Sequence, residues 1–213
     1  MSAAQTTSNS SAGRYVELMH KGRLEAFSDA VIAIIMTIMV LELRAPASTD
    51  LEALRTIVPI FLTYLLSFVN LGIYWNNHHH LLQATRRING GILWANMLLL
   101  FWLSIFPFAT GWMGGSHFAA TPTATYGAVS LLAAIAYFIL QSAVVAEQGP
   151  DWPLAAALGR NVKGKISPVL YAAGIGLAFV SPAIAVCLYV VVALMWLIPD
   201  RRIEGILRSG RPI

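Results

Sequence analysis

Between Asp29 and Glu42 the chain runs through twelve residues, Ala30 to Leu41, with no charge and a single polar side chain, Thr37. With Phe27 added at one end and Leu43 at the other, the run reaches the roughly 17 residues at which a helix begins to cross a bilayer core. Hydrocarbon offers the backbone no hydrogen-bond partners, so such a run must satisfy its own amides as helix. Comparable runs recur along the rest of the chain. Of its 213 residues 57% are hydrophobic and only 11% charged, which points to an all-α polytopic membrane protein and away from a soluble core. A single cysteine, Cys187, excludes a disulfide framework or a Cys-based metal site within one chain.

Punctuation divides the chain into six helices per unit. Residues 1–13 read as a disordered tail, 14–200 as a six-helix unit, and 201–213 as a basic C-terminal tail. The helices are expected at about 23–43, 57–80, 92–113, 125–146, 166–181 and 183–198. Asp50 is placed to cap the second helix and Pro59 to sit in its first turn; Asn89-Gly90-Gly91 turns into the third, and Pro107 kinks it. Ser181-Pro182 separates the last two, each near the lower limit for a span, as a short hairpin or a re-entrant pair.

Basic residues then sort by side. Twelve of the fourteen Lys and Arg fall in the N-terminal arm, the second and fourth loops and the C-terminal arm, leaving Arg44 and Arg55 for the other side. Both termini are therefore expected in the cytoplasm. The net charge of +4 follows from this placement and implies no nucleic-acid partner.

At 100° per residue Ile34, Thr37, Ile38 and Leu41 share one stripe of the first helix, and Asp29 points roughly 130° away from its centre. A carboxylate at that depth needs a polar partner, so one helix faces two environments. The stripe by itself reads by default as ordinary helix packing or lipid contact rather than as a pore lining. Thr37 has a local use too, donating to the Ala33 carbonyl four residues back. His78, His79 and His80 point 100° apart and lack a partner at i+3 or i+4, which argues against a metal cluster; a polar role between helices suits one of them better. Thr125-Tyr126-Gly127 is only a fragment of the filter of ordinary potassium channels, with no pore loop before it. No nucleophile–base pair, phosphate loop or paired carboxylates mark an enzyme.

Arg23-x-x-x-Phe27-Ser28-Asp29-Ala30-Val31, followed by an apolar helix ending Val40-Leu41-Glu42-Leu43, resembles the signature of the transmembrane protein 175 potassium channels of lysosomes and bacteria. The likeness continues in Trp75-x-x-His78-His79, Trp94-x-Asn96 and Pro107-Phe108, covering about residues 23–110. It implies a potassium-permeable cation channel of the bacterial cell membrane, one six-helix unit per chain in a homotetramer surrounded by lipid, with no cofactor and potassium as the permeant ion. The first helix would line the pore without a separate filter loop, with Ile34 at the constriction and Thr37, Ile38, Leu41 and Glu42 along the path. Arg23, Phe27, Ser28 and Asp29 would hold that helix against Trp75, one of His78 or His79, and Asn96. Ala33 stands where some members carry a hydroxyl residue. Two other classes remain as alternatives: a membrane-embedded histidine-rich metal or redox protein, and a secondary transporter, against which the lack of an internal repeat weighs.

Overall fold

A computed structural model describes residues 3–46, 48–149, 152 and 162–197, with side chains from Lys21 onward except that of Val162. The described residues are helical with short connections: α1 (Ala3–Ile38), α2 (Leu54–Ala84), α3 (Gly90–Ser104), α4 (Phe106–Gly115), α5 (Ala120–Gln148), α6 (Val162–Leu177) and α7 (Pro182–Leu197). Four stretches are long and apolar enough to cross a membrane: Lys21–Glu42, Leu51–Ala84, Gly90–Gly115 and Ala120–Gln148. Helices α6 and α7 are shorter, 16 residues each. The basic tail expected at 201–213 lies outside the described residues.

Several boundaries differ from the sequence expectation. Helix α1 runs back to Ala3, through the segment read as a disordered tail; once a helix is nucleated, each further residue adds a hydrogen bond at small cost. Helix α2 begins at Leu54 behind a 3-10 turn, Leu51–Ala53, which puts Pro59 in the helix interior. The carbonyl one turn before a proline loses its amide partner. Asp50 makes no side-chain cap; its Oδ2 accepts instead from Ser48 Oγ at 2.8 Å. The third span breaks at Ile105, two residues ahead of Pro107, because the proline cannot continue the ladder and is tolerated in the first turn of α4. Asn89 caps α3, its Oδ1 accepting from the Ile92 amide at 2.9 Å. Pro182 opens α7, as the break at Ser181-Pro182 requires.

Helix α1 packs on α2, α3 and α4, and α5 packs on α3, α4 and α6; α7 closes against α6, α2 and α5. The α2–α4 crossing is close because Gly114 has no side chain: a Cβ there would sit 2.7 Å from Ile60 Cα and collide with Thr63 Oγ1. Small residues are what allow membrane helices to approach so nearly. Lys21 Nζ donates to the Gln83 carbonyl at 2.6 Å, and Gln148 Oε1 accepts from the Arg86 amide at 2.9 Å. These bonds gather the part of α1 around Lys21, where its apolar span begins, the end of α2 and the end of α5 at one end of the bundle.

Candidate ion pathway

Helix α1 has two faces with different fates. Leu24, Ser28, Ile32, Ile35 and Met39, spaced by three or four, are buried against the rest of the chain. On the opposite side Ile34 is 55% exposed, Ile38 44% and Leu41 73%, and Thr37 and Glu42 are exposed as well. Residues 34, 37, 38 and 41 thus form an uncovered stripe one helix wide. Thr37 Oγ1 donates to the Ile34 carbonyl, three residues back, at 2.9 Å, in place of the Ala33 bond expected four back. A Thr hydroxyl in a helix reaches either the i−3 or the i−4 carbonyl, and just beyond it α1 gives way to a 3-10 turn over Met39–Glu42. Glu42 lies over α4, its carboxylate Oε2 filling the place a Cβ on Gly111 would take, 2.6 Å away.

Behind the stripe, α1 is tied to α2 by a ladder of polar contacts. Lys21 meets Gln83, Glu25 Oε1 lies 3.0 Å from His79 Nδ1, and Trp75 Nε1 donates to Asp29 Oδ1 at 3.0 Å. Each step of four forward along α1 matches a step of four back along α2, so the two helices are antiparallel neighbours held in one register. The Trp75 ring stacks on His79 with centroids 6.0 Å apart. This places Asp29 on the α2 side, half-buried and away from the exposed stripe.

A second set of bonds is buried between α1, α2 and α3. Asn96 Nδ2 donates to Ser28 Oγ at 2.9 Å, Ser28 Oγ donates to the Leu24 carbonyl at 2.9 Å, and Asn96 Oδ1 lies 2.7 Å from His78 Nε2. All three side chains are fully buried. Since Asn96 Oδ1 can only accept, His78 Nε2 carries a proton, and its Nδ1 has no hydrogen-bond partner among the described residues. The bonds then run in one direction from His78 to Leu24. Of the two candidate histidines, His78 reaches Asn96 and His79 reaches Glu25.

Arg23 and Phe27 are not drawn into this arrangement. Phe27 is 48% exposed, and Arg23 is exposed with no ion pair among the described residues. Glu25 was not legible as a partner, although its i, i+4 spacing to Asp29 opposite the i, i+4 pair Trp75 and His79 is a signal that pairing two helices brings out. A third polar group lies deeper, also unanticipated. Ser67 Oγ is 2.6 Å from Thr110 Oγ1, and Tyr126 Oη is shared by Ser67 Oγ at 3.2 Å and Asn70 Nδ2 at 3.1 Å. Thr110 in turn contacts Met39 Sδ at 4.0 Å, so this group supports the back of the 3-10 turn that ends α1. Tyr126 is thus an interhelical anchor.

Four apolar helices of spanning length, joined across the bundle by the polar contacts of Ser28, His78, Asn96, Ser67, Thr110 and Tyr126, define a multi-pass membrane protein. The family described as endosomal/lysosomal potassium channel TMEM175 matches residues 23–107. A potassium channel of Chryseobacterium sp. (strain P1-3) is 53% identical over 192 residues, covering 90% of this chain and 100% of that one. The endosomal/lysosomal proton channel TMEM175 of Rattus norvegicus is 31% identical over 132 residues, 56% of this chain and 26% of its own. The crystal structure of a lysosomal potassium-selective channel TMEM175 homolog from Chamaesiphon minutus superposes with a TM-score of 0.72 at 26% identity, covering 91% of this chain and 100% of that chain. The chain belongs to the TMEM175 family.

Proposed function

We propose that the protein is a potassium-permeable cation channel of the bacterial cell membrane, a homotetramer in which four copies of α1 line the pore. The observation that carries this reading is the exposed stripe of Ile34, Thr37, Ile38 and Leu41 on the face of α1 opposite its buried Leu24–Met39 face. Membership in the TMEM175 family and the potassium channel name of the Chryseobacterium relative support reading the stripe as a pore lining. Six helices cross the membrane, α3 and α4 acting as one span, and both termini are cytoplasmic, as the distribution of Lys and Arg indicates.

In this arrangement the stripe replaces a separate filter loop. Four Ile34 side chains form a narrow apolar ring that excludes water, so conduction needs the helices to spread or rotate, and gate and constriction coincide. Four Thr37 hydroxyls beyond the ring replace part of an ion's hydration shell. Potassium is less costly to dehydrate than sodium, which gives a modest preference. Glu42 at the outer end of the helix raises the local cation concentration. Asp29 holds α1 to α2 and does not touch the permeating ion.

The test is flux from liposomes holding the purified protein, with potassium, sodium and proton gradients measured separately. Potassium flux exceeding sodium flux is the expected result. The proton arm is included because animal relatives are named proton channels. Absence of protein-dependent cation flux of any kind overturns the reading.

A further inference from the structure

Away from α1, a cavity opens between α2, α5, α6 and α7, with Asn70, Tyr74, Ala134, Tyr171, Val192 and Trp196 among its walls. It offers about 50 Å³ to the centres of water-sized groups. One water needs roughly 10–15 Å³ on that scale, so the space holds about three to five waters, or a molecule of about 100–150 Å³. Among the described residues no charged side chain lines it, and aromatic rings supply much of its surface.

Its polar groups are incompletely used. Asn70 is buried, and its Nδ2 donates to Tyr126, but its Oδ1 has no hydrogen bond among the described residues. Asn77 Nδ2 donates to the Ile73 carbonyl at 2.9 Å, and its Oδ1 is likewise without a partner there. The hydroxyls of Tyr74 and the buried Tyr171 make no hydrogen bond to any described residue. Trp196 Nε1, by contrast, donates to Ser167 Oγ at 2.8 Å. Four residues that each keep an amide oxygen or a hydroxyl without a hydrogen bond among the described residues therefore line one aromatic-walled space. Buried polar groups inside a membrane domain are normally paired, and leaving several open at one place is the signature of a guest that completes them.

We propose that this cavity is a ligand site, distinct from the ion path, for a small uncharged molecule with a flat apolar body and a hydroxyl or amine donor. The donor bonds Asn70 or Asn77, the same oxygen or nitrogen accepts from the Tyr74 hydroxyl, and the body stacks among Tyr74, Tyr137 and Tyr171. The neutral lining excludes ions, because a charge would be desolvated with no counter-charge to meet it.

The probe is 4-fluorophenol, followed by fluorine NMR on the full-length protein in detergent micelles. A saturable bound signal of one probe per chain is expected, above the non-saturable partition into micelles. Tyr74→Phe removes one hydroxyl and should weaken binding about 2- to 10-fold. Ala134→Phe fills the space and should abolish it while the oligomer elutes unchanged, and 4-fluorotoluene, which has no donor, should compete at least ~10-fold less well. Binding that does not saturate, or that is the same in wild type and Tyr74→Phe with 4-fluorotoluene competing equally, overturns the proposal and leaves a water-filled space. Because Tyr74→Phe preserves shape, that comparison stands even where Ala134→Phe fails to assemble.

Discussion

Trp75 on α2 donates its indole N–H to Asp29 on α1 over 3.0 Å, one rung of a ladder that continues four residues away in Glu25 and His79. The bond matters because the carboxylate stands where a pore helix joins its neighbour, and its orientation decides whether the acid faces ions or protein. A double-mutant cycle measures it. Asp29→Ala and Trp75→Phe should each destabilise the oligomer, and the double variant should cost less than their sum by about 0.6–1.5 kcal/mol. Detergent-resistant oligomer yield on heating is the readout, alongside liposome flux. An Asp29→Ala protein with undiminished stability and altered ion preference would instead put Asp29 on the conducting path.

The buried run from His78 through Asn96 to Ser28 is more demanding, since water cannot replace a lost member. Asn96→Ala leaves the His78 N–H without an acceptor and the Ser28 oxygen without a donor, for a loss of about 1–3 kcal/mol per orphaned group. Adding His78→Phe removes the costlier orphan, so the double variant Asn96→Ala with His78→Phe should recover part of the loss. Thermal unfolding of the three proteins in one detergent checks the order: single Asn96→Ala least stable, double variant intermediate, wild type highest.

How much of this was legible depends on whether the signal is local. The stripe of Ile34, Thr37, Ile38 and Leu41 follows from helical period alone, and the described residues leave that face uncovered. The pairing of Glu25 with His79 is not local: it appears only once α1 and α2 are set antiparallel in a particular register. The Ser67, Thr110 and Tyr126 group likewise joins residues 43 and 59 apart in sequence, on three helices. Tyr126 sits in a fragment that resembles a filter motif, and only its crossing with α2 shows why the phenol is there. Helix ends were the weakest readings. Pro59 points to a start near residue 57, whereas the chain enters α2 three residues earlier, at Leu54, so that the ring lies inside the helix, and the last turn of the first span is 3-10 rather than α.

Gly114 and Gly115 give a paired test of the α2–α4 crossing. A methyl at Gly114 would meet the Ile60 backbone at 2.7 Å, which cannot yield without moving a helix, whereas one at Gly115 meets nothing within 4 Å. Gly114→Ala should therefore cost about 1–3 kcal/mol, and Gly115→Ala should stay within about 0.5 kcal/mol of wild type. Thermal stability of the purified variants separates the two, and equal effects would show that the crossing tolerates more separation than its geometry implies.

The constriction makes the most direct demand on function. Ile34 is 55% exposed in the single chain, on a face that a pore would dehydrate when four copies converge. Replacing it by Asn keeps a side chain of similar reach but gives water and ions hydrogen-bonding groups at the narrowest point, so the barrier to wetting falls. Ile34→Asn should raise potassium flux and reduce the preference over sodium, while Ile35→Val, on the buried face, should leave both nearly unchanged apart from a stability loss of about 0.5–1.5 kcal/mol. The comparison is made in liposomes at matched oligomer density. Flux unchanged in an intact Ile34→Asn tetramer would mean that the narrow point lies at another residue of the stripe, with Ile38 and Leu41 next to be substituted.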